Sequence, residues 1–350
     1  MRTERAKFSV CIPAYNRARH LRALLDSIFC QDYRNFEVVI CEDDSPERKQ
    51  IAAIVADCAS RYPNVIQYFE NEQNLGYDGN IRNLVARAGG KFCFFMGNDD
   101  LMCPGALSHT ARIIDRYPDI GFVLKSYAWF DSAPDEINQE VRYFNEERLF
   151  AAGNGAVMVC FRRSGVISGY IVDRDSAHAA ATDRFDGTLY YQLHLTASVL
   201  ARKNAVFTPQ TLVLCRNGEP PDFGISSIEA GKFVPGRYTP EARLQMVEGA
   251  LAIIRYHDQT TRKQLTSAVM HDYANYFYPY IKDQLSLNRS GFFHLYLRFA
   301  KMGFYRYPIF HFYCLAAYLL GEKGFDAVTR RVREHLGRSP QFGIKQLGVE

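Results

Sequence analysis

Apolar and polar positions in the first 130 residues switch between a strand pattern and a helical one. Residues 8–12 form a short apolar run halted by Pro13, which reads as a strand buried on both faces. Leu21, Leu24, Leu25 and Ile28 then recur at helical spacing. Runs at 36–41 and 65–70 repeat the strand pattern, and Phe-Cys-Phe-Phe-Met from Phe92 is another, with one more at 121–130. Between them, Ile51, Ile54, Val55 and Cys58 mark one helix, and further helices are expected at about 78–88 and 104–117. Ser45-Pro46 supplies a cap and a first-turn proline for the helix that follows. Strands alternating with helices predict βαβ units, right-handed crossovers and an α/β fold with a mainly parallel, Rossmann-like sheet.

After Phe130 the pattern loosens. Residues 131–148 are polar and acidic and read as a long loop or lid, while 156–161 and 166–172 read as strands. A small-residue connection at 177–187 leads to a helix-like 188–201 and then to a strand pair at 205–214 around Pro209. Residues 218–235, with Pro220-Pro221 and Gly224, read as a flexible loop beside a substrate entrance. From Pro240 onward helices are expected at 241–257, 261–284, 292–302 and 309–320. The division predicted is a catalytic domain over 1–235, in halves 1–130 and 131–235, with a helical region over 236–350.

Composition changes this picture little. A net charge of +4 gives no case for a nucleic-acid partner. From Arg289 onward, however, there are ten Lys/Arg against four Asp/Glu, which suits an anionic surface such as membrane headgroups. The nine cysteines lack metal-site spacing and predict buried thiols in a reducing, cytoplasmic setting. The first residues show no signal-peptide pattern, and no apolar run is long enough to predict a spanning helix.

The chemistry is concentrated where strands end. Residues 13–17, 42–44, 74–80 and 98–100 all follow strands, so they converge on the carboxyl rim of the sheet, where open α/β folds bind ligands. Asp99 and Asp100 there suit a hard divalent cation such as Mg²⁺ or Mn²⁺ shared with substrate phosphates.

These motifs resemble family 2 glycosyltransferases. Phe-Ser-Val-Cys-Ile-Pro-Ala-Tyr-Asn-Arg resembles the family's first strand and Pro-x-Tyr-Asn loop. Residues 36–45 resemble its second strand and acidic pair; Asn74-Leu75-Gly76, Arg82-Asn83 and Gly89-Gly90 resemble its next signature. Gly97-Asn98-Asp99-Asp100 resembles its DxD element, with Gly97 where the first Asp often stands. Weaker echoes at Ile167-Ser168-Gly169 and 208–216 resemble the branch building O-antigen and other surface polysaccharides, such as abequosyltransferase-like enzymes.

The resemblance implies a GT-A fold and metal-dependent, inverting transfer of a sugar from a nucleotide-sugar donor to a glycan or polyprenyl-linked oligosaccharide. It assigns Pro13, Ala14, Tyr15 and Asp43 to the nucleotide pocket, with Asp44 helping there or capping a helix. Asn74 joins them, Arg17 and Arg82 neutralise the diphosphate, Asp99 faces the donor, and Asp99 and Asp100 hold the metal.

The family's base slot falls near Tyr191-Gln192, where there is no acid; Asp186 is the expected base, with N-capping as its structural alternative, and Asp183 and His194 stand nearby. The aromatic and basic stretch 292–320, followed by Arg330, Arg331 and Arg333, suits peripheral attachment to a membrane, or helices that simply cover the domain. Two rival readings remain at this point, a nucleotidyltransferase making an activated sugar and a degenerate GT-A-fold binding protein.

Overall fold

The computed structural model describes residues 5–282 and 284–336. The expected apolar runs lie edge to edge. β1 (Phe8–Ala14), β2 (Phe36–Glu42) and β3 (Ile66–Glu70) are parallel, with Phe8 beside Phe36 and Val38 beside Ile66. β4 (Phe92–Phe95) pairs in parallel with the other edge of β1. The crossovers are α1 (Ala18–Phe29), α2 (Arg48–Arg61) and α3 (Gly76–Arg87). They bury the periodic positions, Leu21, Leu24, Leu25 and Ile28 on α1 and Ile51, Val55 and Cys58 on α2. Gly90 has a steric cause: a Cβ there would come within 2.5 Å of the Ser9 backbone nitrogen, where β4 enters beside β1.

The chain continues through β5 (Leu101–Met102), α4 (Ala106–Arg116), β6 (Ile120–Phe130), β7 (Ile137–Val141) and β8 (Arg148–Phe150). Then follow α5 (Asn154–Cys160), β9 (Tyr170–Asp173), α6 (Arg174–Ala179), α7 (Tyr191–Leu200) and β10 (Asn204–Arg216). The sheet order is β3-β2-β1-β4-β9-β6-β10-β5. β9 is antiparallel to both β4 and β6, and β10 is parallel to β6, so β4, β6 and β10 keep the direction of β1 to β3. The carboxyl ends of these strands therefore lie along one rim.

Several local expectations are corrected. Residues 156–161 lie mostly in helix α5, not a strand; six apolar residues are too few for periodicity to decide. Of 166–172, only the part from Tyr170 pairs. Residues 204–216 are one strand, whose register against β6 slips between Phe207 and Thr211 because Pro209 offers no N–H. Residues 131–148 are not an open loop, since β7 folds back antiparallel onto β6. Ser45 caps nothing: its hydroxyl has no hydrogen-bond partner and α2 starts at Arg48. Glu42 makes that turn instead, accepting from the Asp44 and Ser45 N–H groups and the Arg48 guanidinium.

The C-terminal region comprises α8 (Pro240–Thr261), α9 (Thr266–Asn275), α10 (Tyr278–Lys282), α11 (Arg289–Lys301) and α12 (Pro308–Leu336). Thr239 caps α8 and Asn288 caps α11, each through a side-chain oxygen. The single helix expected over 261–284 is two helices, because Pro279 is tolerated in the first turn of α10 but not inside a continuing α9. α12 breaks at Gly321 (φ 63°, ψ −174°), where the expected helix ends. The side chains of Arg330 and Arg333 lie outside the described residues. Among the described residues, no helix is long and apolar enough to cross a membrane.

Candidate active site

A cavity of about 200 Å³ opens at the rim. Its first wall is the loop after β1. Asn16 and Arg17 both take left-handed backbone (φ 50° and 58°), which side chains other than glycine's seldom adopt and which clusters at functional sites. Asn98 holds this loop in place, donating to the carbonyls of Tyr15 (3.2 Å) and Asn16 (2.8 Å). Arg17 then reaches across the opening to Asp99 Oδ2 (2.6 Å), the Pro220 carbonyl (2.7 Å) and Asp222 Oδ2 (3.2 Å).

The second wall is Asp43, at the end of β2. Its Oδ1 accepts from Asn71 Nδ2 (2.7 Å) and the Leu75 N–H (2.9 Å). Burial pushes its pKa up to about 6 in spite of these bonds. Asn71 also meets Asn80 (3.2 Å) and Asn83 (2.8 Å), so the asparagines of the motif hold one another and the loop. Asn74 turns its own loop by accepting from the Gly76 N–H at 2.9 Å.

The floor is the end of β4. Asp100 accepts from the Ser168 hydroxyl and, at 2.7 Å, from the Arg216 N–H. Burial first, and the adjacent Asp99 second, push the Asp100 pKa up to about 7. Ser168 also accepts from the Gly97 N–H at 2.7 Å, which ties the β9 approach to the acids. The outer wall is the loop after β10. Glu229 pins it to α3 by accepting from the Tyr77 (2.8 Å) and Gly224 (2.9 Å) N–H groups.

Of the residues expected here, Pro13, Tyr15, Arg17, Asp43, Asn74, Asp99 and Asp100 line the cavity. Ala14, Asp44, Arg82 and Asp186 do not. Alternation along a strand explains Ala14, which is fully buried between two residues that face the cavity. Asp44 is exposed and lies 3.4 Å from Arg48; it neither reaches the cavity nor caps a helix. Arg82 sits about 200° around α3 from the cavity-lining Asn80. It pairs instead with Asp186. The structure thus brings neither the expected second diphosphate ligand nor the expected base to the cavity. His194, by contrast, packs against Phe185 and bonds the Ala180 carbonyl at 2.8 Å.

Tyr77, Asn80 and Asn98, from stretches expected at the rim, and Asp222, Ser226 and Glu229, from the loop expected beside the entrance, also line the cavity, though none is singled out by the sequence. Tyr77 and Asn80 share a helical face with Gly76, so the spacing could have found them. The loop 218–235 lies beside the cavity as its composition suggests, but no spacing singles out Asp222, Ser226 or Glu229, which only the packing of that loop turns toward the rim.

Residues 9–170 match the model described as Glycosyl transferase family 2. That region is similar to glycosyl transferase family 2. The GT-A fold implied by its motifs is the fold observed. Among curated proteins, the chain is 27% identical over 221 residues to abequosyltransferase RfbV of Salmonella typhimurium, covering 59% of this chain and 66% of the relative. It is 32% identical over 103 residues to the GalNAc(5)-diNAcBac-PP-undecaprenol beta-1,3-glucosyltransferase of Campylobacter jejuni, covering 29% of this chain and 32% of that one. Less than two thirds of each relative's length is therefore spanned. Among solved structures, residues 1–349 of S. aureus TarS, in complex with UDP-GlcNAc, share the fold at a TM-score of 0.55 and 16% identity. The match covers 78% of this chain and 73% of that one.

Proposed function

We propose that this chain transfers a sugar from a nucleotide-sugar donor, bound in the rim cavity, to a hydroxyl of a lipid-linked glycan. The observation that carries the reading is the convergence of Asp43, Arg17 and the Asp99–Asp100 pair on one cavity at the ends of β1, β2 and β4. A buried carboxylate at Asp43 can accept an N–H from a nucleobase, and the Arg17 guanidinium matches diphosphate oxygens. The relatives named for surface-glycan and undecaprenol-linked transfer support the acceptor class.

A divalent cation, Mn²⁺ or Mg²⁺, fits the acids. Asp99 and Asp100 bring two carboxylates together at nearly buried positions, and burial first and the neighbouring Asp99 second raise the Asp100 pKa, a cost that a bound divalent cation would offset. Among the described residues no three metal-ligating side chains cluster, so donor phosphates would complete the coordination. When bound, the ion would stabilise the leaving nucleoside diphosphate as a Lewis acid. Inversion requires a base on the acceptor side. Asp43, Asp99 and Asp100 serve the donor and Glu229 is held by two backbone N–H groups, which leaves Asp222, one-third exposed on the outer wall, for that task.

The catalytic unit is assigned to 1–235 and the helical region to 236–350, of which α8 and α9 pack against the catalytic unit. The helical region leaves Phe312 65% and Leu319 70% exposed one above the other on α12, with Arg289 lying over the Tyr318 ring nearby. This face suits peripheral docking on the anionic cytoplasmic leaflet, where a lipid-linked acceptor would lie. Flotation with anionic and neutral vesicles tests it: Phe312→Ser with Leu319→Ser should release the protein, and unchanged flotation would sink the membrane assignment.

Incubating the purified chain with Mn²⁺ and a panel of nucleotide sugars tests the activity. Slow release of a nucleoside diphosphate, lost in Asp100→Ala, is expected. Conversion of the nucleotide sugar with added pyrophosphate into a nucleoside triphosphate and a sugar 1-phosphate would indicate nucleotidyl transfer instead, and binding of no nucleotide would reduce the chain to a degenerate member of the fold.

A further inference from the structure

A second cavity, of about 250 Å³, adjoins the first, and Tyr77 and Phe223 line both. Eight of its sixteen lining residues are tyrosines, so its wall is aromatic and set with hydroxyl groups. Such a wall packs against the C–H face of a sugar ring while its O–H groups bond the ring's hydroxyls. A packing gap in an apolar core would be lined by aliphatic side chains and stay dry.

The charged residues on this wall are Arg162 and Arg163, with no acid among the described lining residues. Both face one carboxylate outside the cavity. Arg162 Nε donates to Asp272 Oδ2 at 2.7 Å, and Arg163 donates at 3.0 Å to each oxygen of the same group. All three side chains are nearly sealed, at 9%, 0% and 2% exposure. Two cations thus share one anion, and Arg163 Nε is buried without a hydrogen-bond partner. Buried charge in excess is disfavoured unless an opposite charge meets it. Here the excess lies at the wall of the cavity, where Arg162 is the one of the two arginines that keeps side-chain exposure.

We propose that this second cavity is the acceptor subsite and takes a sugar bearing a phosphate or a carboxylate, with tyrosines against the ring and Arg162 and Arg163 opposite the anion. The acceptor role rests on the donor reading of the first cavity; the binding of an anionic sugar does not.

Calorimetric titration of the full chain with glucose 1-phosphate, methyl glucuronide and methyl glucoside tests it. At least one anionic sugar should bind roughly tenfold or more tightly than the neutral glucoside. The better of the two tells a phosphosugar from a uronic acid. Arg162→Gln should abolish the preference, since the pair of Arg163 with Asp272 then leaves no surplus charge. Met246→Trp, which enlarges a lining side chain and leaves Arg162 and Arg163 in place, should abolish binding altogether. A nucleoside diphosphate should bind both variants as it binds the parent, which also shows that they fold. Equal binding of the neutral sugar, no binding of either anion, or anion binding that survives both variants would overturn the proposal. Anionic-sugar binding without any nucleotide binding would uphold the site and remove its acceptor role.

Discussion

Arg17 Nη1 stands 2.6 Å from Asp99 Oδ2. The same guanidinium bonds the Pro220 carbonyl and faces Asp222, so one side chain joins the loop after β1, the paired acids and the outer loop. Arg17 is also the one Lys or Arg among the described residues that line the cavity. Arg17→Ala should weaken nucleoside diphosphate binding by roughly tenfold to a hundredfold, the range for one charged hydrogen-bonding group. Calorimetry with the diphosphate and with the bare nucleoside separates the causes. Nucleoside affinity should hold, whereas an equal loss for both would mean that the outer loop has collapsed.

Asp43 gives a pH dependence. Its pKa lies near 6 in the folded chain, so it accepts a base N–H fully only above that value. Donor affinity should therefore rise as pH increases through about 6, and Asp43→Asn should flatten the profile. Stability moves the other way. Because burial raises this pKa from 3.8, the folded state binds the extra proton between those values. The contribution of Asp43 to stability falls as pH rises from about 4 to about 6, and the variant should lack that slope in urea titrations.

The pairing of Arg82 with Asp186 joins α3 to the turn before α7, away from the cavity. Asp186→Asn is expected to lower stability by about 1–2 kcal/mol, discounted because solvent reaches Arg82. Turnover per folded molecule should change less than threefold, while Asp222→Asn lowers kcat and leaves donor affinity intact. A thousandfold loss of kcat in Asp186→Asn with an unchanged melting temperature would return the base to that residue.

Gly97 stands where a fuller motif would carry a third acid. A Cβ there would lie 3.0 Å from both Asp100 Oδ2 and Ser168 Oγ, tighter than ordinary contact. Gly97→Asp should lower stability by about 1–3 kcal/mol through crowding and added like charge. It should not tighten Mn²⁺ binding, as isothermal titration would show. Stronger metal binding with no loss of stability would mean that Ser168 can move aside.

What the chain determined by itself was local and periodic. The apolar runs of β1, β2 and β4 and the spacing of Leu21, Leu24, Leu25 and Ile28 place the strand ends, and with them Pro13, Tyr15, Arg17, Asp43, Asn74, Asp99 and Asp100, on one rim. Those positions follow from bond geometry and alternation, which act over a few residues. Arg82 and Asp186 lie 104 positions apart, and Glu229 meets the Tyr77 N–H across 152. No periodicity spans such distances, so the orientation of α3 and the return of the outer loop were decided only by packing. The same holds for Arg162, Arg163 and Asp272, whose shared burial depends on α9 docking beside the helical turn 162–164 that follows α5. Sequence placed the rim residues because they sit on strand ends; tertiary structure decided which of the remaining charges face a cavity and which neutralise one another.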